Sequence, residues 1–545
     1  MLKHYFLLLL IGLTIPGWAR NWNAKTDWRA TGDGKTDDSP AIQRGVAAMR
    51  SGDTVVFPAP GTYFVASTVN FRAPGIRVKC EPGVALAGPN RGTDIFANLQ
   101  SNTAIGGSAT TGCIFRGGGI QAYGRGGDGG QTLDQTIFNL TFTYNTFENM
   151  TYGPNNFRSN GGIFIGGGSN HVLIRHNTFS NIMPYDNGYN AAGKTYLEQY
   201  DPDGDSARAA IWFYGGSNYT IDHNTFLHNY QDIKGCEGQQ FQAENLLIHH
   251  NFSDSHHRMF MEINTGNGCG NATYNAGIDN FQVYDNYDLH AGGPYPEANT
   301  FGLSAPFAQA KQPGSGVYTS IPMSRVVWYN NLLKGVINNN QNVGIGIEVG
   351  GRDMKIYNNT VMSQWPTAGY AFGGTEGGSM RDNYACLITP SQAKSAYFGD
   401  SNGKTSTAYV RNRIDGNCAQ GLRSLAVTLG PISNTGGVLT ATATVETVEF
   451  GTQGAVFSID GRYVSAATGL GPYTLNYGAA GLATGSHKVT ATVVDAVGLL
   501  AVSGKQSVST SSGAGPGGPI SPNVDPAKQD FDIAGNADDP INGGH

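Results

Sequence analysis

Ile174-Arg-His-Asn177-Thr-Phe179 and Ile221-Asp-His-Asn224-Thr-Phe226 are two copies of one pattern: an apolar residue, two variable ones, Asn, one more, then an apolar residue. Weaker copies are Phe142-Thr-Tyr-Asn145-Thr-Phe147, Ile248-His-His-Asn251, Val283-Tyr-Asp-Asn286, Trp328-Tyr-Asn-Asn331-Leu-Leu333 and Ile356-Tyr-Asn-Asn359-Thr-Val361. The spacing between copies varies from 27 to 47 residues, so the repeating unit carries insertions of different size. A second strand signal alternates with the first: Gly162-Ile-Phe-Ile165-Gly-Gly, Ala210-Ile-Trp-Phe-Tyr214-Gly-Gly and Gly344-Ile-Gly-Ile-Glu-Val349-Gly-Gly. These brief period-two runs end in glycine. No such unit can bury its own apolar face, but stacked copies can, and the recurring Asn can then form a hydrogen-bonded ladder at one corner. The reading is a solenoid of short parallel strands. A β-propeller would need longer blades with other signatures.

Around these repeats the chain divides. Ser39 to Met49 is the best helix candidate, with Ser39 able to cap and Pro40 at the first helical position. A helix here would cover the solenoid's open sheet edge. Near Gly421 the character changes to longer alternating runs, Leu439–Val445, Val456–Ile459 and Lys488–Val494, with the hairpin turn Asp460-Gly461. Turns at that spacing suit a β-sandwich. The expected boundaries are a signal peptide over 1–19, the solenoid with its helical cap over 20–422, the sandwich over 423–510 and a Gly/Pro-rich disordered tail over 511–545. Lys3, the apolar run Phe6–Ile15 and Gly17-Trp18-Ala19 carry the signal reading, which makes the mature chain secreted. No later apolar stretch is long enough to span a bilayer.

Composition agrees. The 545 residues include 78 Gly and only 14% charged residues, a profile of many strands and many turns. A net charge of −6 gives no electrostatic case for nucleic acid. The six cysteines, Cys80, Cys113, Cys236, Cys269, Cys386 and Cys418, are expected to form three bridges between sequence neighbours, with buried thiols as the other reading.

Gly32-Asp33-Gly34-Lys-Thr-Asp37-Asp38-Ser-Pro-Ala-Ile42-Gln43, followed by Val55-Val-Phe57-Pro58-Ala-Pro-Gly61-Thr-Tyr63, resembles the opening motif of the pectate-lyase-like superfamily, closest to its rhamnogalacturonase and epimerase-like branch. With the Asn-rich repeats the resemblance extends to about residue 420. It implies a right-handed parallel β-helix, typically acting on polysaccharide. Asp33, Asp37 and Asp38 are implied to build the end cap. The Asn-Thr-Asp, Asp-Asp, Gly-His-Gly and Arg-Ile-Lys series of secreted polygalacturonases is absent, so those catalytic roles do not transfer. Residues 425–510 are similar to bacterial immunoglobulin-like modules through Ser458-Ile-Asp-Gly461, Gly471-Pro-Tyr473 and Gly485-Ser-His-Lys-Val489.

Aligning the glycine-ended strands sets a register. If Ile165, Phe213, Ile233, Ile263 and Val349 point inward, then Phe164, Trp212, Asp232, Glu262 and Glu348 point outward. Aromatics followed by carboxylates suit a sugar-binding groove, with Phe164, Trp212, Glu348 and His256 as substrate-binding candidates. Asp232 and Glu262 on adjacent rungs form a candidate catalytic pair, since like charges that close raise one pKa and supply a general acid. Lys234 and Arg258 could hold uronate carboxylates, and His256 or His257 could move a proton. A solvated sheet face is the rival explanation for these charges. In Asp201-Pro-Asp203-Gly-Asp205 three carboxylates at alternate positions could converge on Ca²⁺, or form a plain polar loop. With calcium, Lys234 or Arg258 would act as base in a β-elimination.

The expectation is a secreted, monomeric enzyme cleaving an acidic, pectin-like polysaccharide, by hydrolysis or by β-elimination. A non-catalytic carbohydrate-binding or adhesion protein is the alternative, and an epimerase the third reading.

Overall fold

The computed structural model describes residues 19–89, 94–108, 110–123, 137–152, 161–166, 169–184, 209–214, 216–237, 243–254, 256, 259–265, 278–289, 308–311, 323–336, 347–352, 355–357, 359–363, 370–376, 379–381, 383–387, 398–400, 408–410, 413–415, 425–447, 452–460, 462–468, 471–479, 482, 484–495 and 500–510. Up to about residue 415 it is a parallel β-helix. Successive coils each add one strand to each of three parallel ladders. A 24-stranded sheet comprises two of them, called the first and third below, and a 13-stranded sheet is the other, called the second. We call the ladder through Ile137–Thr143, Ser169–Arg175 and Gly216–Asp222 the first. The second runs through Thr146–Tyr152, Thr178–Pro184 and Thr225–Leu227. The third runs through Ile163–Gly166, Ile211–Tyr214, Gln231–Glu237 and Met259–Thr265.

The repeat pattern explains the coil. Its first apolar residue ends a first-ladder strand and its last one begins a second-ladder strand, both facing the interior. On the second ladder Phe115, Phe147, Phe179 and Phe226 stack inward at 5.0, 5.0 and 5.1 Å. Between the two ladders the Asn turns the corner. Asn145, Asn177, Asn224, Asn251, Asn286, Asn331, Asn359 and Asn383 form one chain, each Nδ2 donating to the next Oδ1 at 2.9–3.2 Å. Each Oδ1 also accepts the preceding Asn's backbone N–H, so a buried amide that would otherwise be orphaned is satisfied. The residue before each of the first six Asn is left-handed without being glycine: φ is 60° at Tyr144, 55° at His176, 54° at His223, 53° at His250, 53° at Asp285 and 55° at Asn330.

The cap is a helix over Ser39–Ala48, with Asp38 rather than Ser39 in the N-cap position. Gln43 makes it an edge cover: its side-chain amide donates to Asn70 O at 3.1 Å and accepts from Asn70 N at 2.8 Å, imitating a neighbouring strand. Asp33, Asp37 and Asp38 are consumed locally. Asp33 accepts Lys35 and Thr36 N–H, Asp37 accepts Ser39 N–H, and Asp38 accepts Thr31 and Gly32 N–H. Cys80 and Cys113 are disulfide-bonded, with Cα atoms 5.0 Å apart. The side chains of the other four cysteines lie outside the described residues.

From Leu425 the chain forms two antiparallel sheets, of four and five strands, around a core that includes Leu439, Phe457, Leu475 and Val493. Leu425–Leu429 and Tyr473–Gly478 flank Val438–Thr447 in one sheet. Arg462–Thr468 and Gly485–Asp495 flank Thr452–Ile459 in the other. These pairings fit an immunoglobulin-like sandwich.

Candidate functional site

The third ladder carries the row that the glycine-ended strands pointed to, with a different membership. Gln121, Phe164, Trp212, Lys234, Glu262, Gln309, Glu348 and Ala371 follow one another in register across consecutive rungs. Their strand neighbours Ile163, Ile165, Ile211 and Phe213 belong to the core, whereas Phe164 and Trp212 do not. Phe164 meets Trp212 edge-on at 5.4 Å, and the Lys234 ammonium lies 5.7 Å from the Trp212 ring centre. This end of the row is enclosed, with Phe164 2%, Trp212 6% and Lys234 4% exposed.

Asp232 is not in that row. Its strand pairs Gln231 with Met259 and Ile233 with Met261, so Asp232 falls opposite Phe260, and Glu262 stands beside Lys234 instead. The expected alignment treated Gly235 as a strand-ending glycine. In fact Gly235 occupies the inward slot between Phe213 and Ile263, where a Cβ would lie 2.5 Å from the Phe213 ring. Ile233 accordingly aligns with Ile211 and not with Phe213.

The Asp232 carboxylate instead joins a polar cluster within the coil. Asn229 donates to its Oδ1 at 2.9 Å and Ser253 to its Oδ2 at 2.5 Å. Ser253 and Asp288 follow Phe226 in register on the second ladder, so the inward phenylalanine stack gives way to polar groups. His256 Nε2 bonds Asp288 Oδ2 at 2.8 Å. Asp232, Ser253 and His256 are 0% exposed. Burial pushes the Asp232 carboxyl up to about 7, reinforced by Asp288 and opposed by His256, Ser253 and Asn229. Burial also raises Asp288, while Asp288 and Asp232 together raise His256 against its own burial. Neither Asp232 nor His256 therefore lines the groove. His257, Arg258, Asp201, Asp203 and Asp205 lie outside the described residues, as do the side chains of Glu262 and Glu348.

A second constellation was in plain sight in the repeats, at the variable positions before each Asn. Arg175, Asp222, His249 and Tyr284 align on successive first-ladder rungs. Beside them at the corner stand His176, His223 and His250, with His176 tilted against His223 at 5.0 Å and His223 stacked on His250 at 4.9 Å. Arg175 Nε donates to both oxygens of Asp222 at 2.8 and 2.9 Å, and His223 Nδ1 bonds Asp222 Oδ2 at 2.8 Å. His249 Nδ1 and His250 Nδ1 approach to 2.8 Å. Burial lowers His249 to about 4 despite the nearby Asp222, and His223, His249 and Arg175 hold Asp222 well below the usual carboxylate range. Asp222, His223 and His249 are the described residues whose donor atoms converge enough for a metal. The signal lies in the two variable positions that precede each Asn of the repeat.

Residues 22–114 match the family model "Rhamnogalacturonase A/epimerase, pectate lyase-like". The superfamily resemblance read from the opening motif is thus borne out over that segment. No curated protein matches the chain. Among solved structures, similarity is found to a Family 28 exopolygalacturonase of Yersinia enterocolitica, at 12% identity and TM-score 0.36, covering 73% of this chain and 78% of that one. An endo-xylogalacturonan hydrolase from Aspergillus tubingensis gives 12% and 0.35, covering 73% and 94%. DFA-IIIase from Arthrobacter chlorophenolicus A6 gives 10% and 0.36, covering 72% and 98%. Among the described residues no helix is long and apolar enough to cross a membrane.

Proposed function

We propose that the chain is a secreted carbohydrate-active enzyme that hydrolyses an acidic, pectin-like polysaccharide along the third ladder. The observation that carries this reading is the unbroken row Trp212, Lys234, Glu262, Gln309, Glu348. Glu262 and Glu348 stand two rungs apart, which sets their backbones roughly 10 Å from each other. Carboxyls about 6.5–9.5 Å apart leave room for a water beneath the sugar, the arrangement of an inverting glycosidase. One of the two would protonate the leaving oxygen and the other would activate that water. Lys234, enclosed on the rung next to Glu262, supplies a cation that would favour the ionised form of a neighbouring carboxyl. The aromatic end being enclosed, the substrate-facing stretch is assigned to Glu262–Glu348. The family match at residues 22–114 supports a polysaccharide substrate.

A second reading is β-elimination at the same stretch of the third ladder. The test is a panel of acidic and neutral polysaccharides, with calcium and with EDTA, read by reducing ends and by absorbance near 235 nm. New ends without absorbance support hydrolysis, and ends with absorbance support β-elimination. Binding without new ends would overturn the enzyme reading in favour of an adhesion or carbohydrate-binding protein.

A further inference from the structure

We propose that Asp222, His223, His249 and His250 form a binding site for a borderline divalent d-block cation such as Zn(II), Ni(II) or Cu(II), at the corner between the first and second ladders. The site consists of two dipeptides, Asp222-His223 and His249-His250, set one rung apart by the pairing of Asp222 with His249. The parallel fold therefore stacks four potential ligands in a two-by-two array. A carboxylate oxygen of Asp222 and one ring nitrogen from each of His223 and His249 lie within 4.8 Å of one another. Ligand atoms about 2.0–2.1 Å from a shared ion lie no more than about 4.2 Å apart, so small side-chain rotations close the difference.

A separate observation points the same way. His249 Nδ1 and His250 Nδ1 are 2.8 Å apart. Two imidazole nitrogens that close share either a proton or a cation. Around an octahedral or square-planar ion with bonds of about 2.05 Å, neighbouring ligand nitrogens sit about 2.9 Å from each other. Imidazoles with one carboxylate and no thiolate suit Zn, Ni or Cu, whereas Ca²⁺ and Mg²⁺ want oxygen throughout.

The rings are also held from outside, as metal-binding imidazoles usually are. Tyr284 stacks on His249 at 4.6 Å and 6°, His176 packs on His223, and Asp285 reaches His250 Nε2 at 3.6 Å. Arg175 is the cation now on Asp222. Its side chain is 28% exposed, so it can swing to solvent and leave both oxygens to a doubly charged ion.

The whole chain, purified without a polyhistidine tag and stripped with EDTA, is titrated calorimetrically with ZnCl₂, NiCl₂ and CuCl₂, with the visible spectrum of the copper complex recorded. One equivalent is expected to bind. His223→Gln or His249→Gln should weaken it by about 100-fold, while His171→Gln and His228→Gln, at exposed positions, should not. Arg175→Met should tighten binding by removing the competing cation, an effect opposite in sign to a purely structural role. No stoichiometric binding in either the parent or Arg175→Met overturns the proposal, and so does tight binding that survives both histidine substitutions. If a histidine variant fails to fold, Arg175→Met decides alone: tighter binding supports the site and unchanged or absent binding refutes it.

Discussion

Replacing Asp232 by Asn should stabilise the β-helix at alkaline pH and change little at acid pH. Asp232 is fully buried, and its carboxyl rises from the ordinary 3.8 to about 7. A carboxyl raised in the folded state holds its proton after the unfolded chain has released its own. Stability is then fully present below about pH 4 and is lost as pH climbs through about 7. Roughly three pH units at about 1.4 kcal/mol each set a ceiling near 4 kcal/mol. Asn cannot ionise, yet its oxygen can still accept from Asn229 and its amide can donate to Ser253. Because Ser253 must turn its hydroxyl hydrogen to another acceptor when Asn donates to it, about half of that ceiling, ~2 kcal/mol, is the expected gain at pH 8. Asp288 and His256 are raised too and lose stability in the same direction, but both remain in the variant, so the difference between the proteins isolates Asp232 and its coupling. The assay is urea unfolding followed by tryptophan fluorescence at pH 5, 6.5 and 8. Parallel stability curves for the two proteins across that range would refute the reasoning, as would a variant that is weaker at pH 8.

Three further outcomes are expected. Asn224→Ala removes acceptors for Asn177 N–H and Nδ2 and donors to Ile174 O and Asn251 Oδ1, so unfolding free energy should fall by about 3 kcal/mol, measured in urea. Gly45→Ala places a Cβ 2.0 Å from the Trp28 ring, so the cap should loosen by about 2 kcal/mol, with the change visible in tryptophan emission. On a substrate found by the panel, Glu262→Gln and Glu348→Gln should each lower kcat by about 10²–10⁴-fold at an unchanged urea midpoint, whereas Asp232→Asn should retain activity.

Much of the fold was legible because solenoids repeat their instructions. One hexapeptide specified the inward residues on both sides of the Asn corner, and Pro40 marked the cap helix. The third ladder was harder. Ile163–Gly166 and Ile211–Tyr214 are short and apolar on both faces, so they give no alternation to set the register against flanking glycines, and Gly235 is an interior packing residue rather than a terminator. That two-residue slip carried Asp232 into the groove on paper and left Lys234 out of the row it occupies. The slot of the polar cluster was legible, since counting two residues on from Asn224, Asn251 and Asn286 aligns Phe226 with Ser253 and Asp288, but its partners Asp232 and His256 lie outside the repeat. The histidine corner was legible in principle, since the residues stood within the quoted repeats.

The left-handed residue before the first six ladder Asn has a consequence for how such a protein diversifies. The bend is secured by the Asn behind it, and the position tolerates Tyr, His, Asp and Asn in turn at Tyr144, His176, His223, His250, Asp285 and Asn330. Their backbones are fixed at an interval of about one rung while their identities vary. The corner thus behaves as a pegboard: mutation can exchange the fittings on one column, singly or in neighbouring pairs, while the wall that holds them stays as it was.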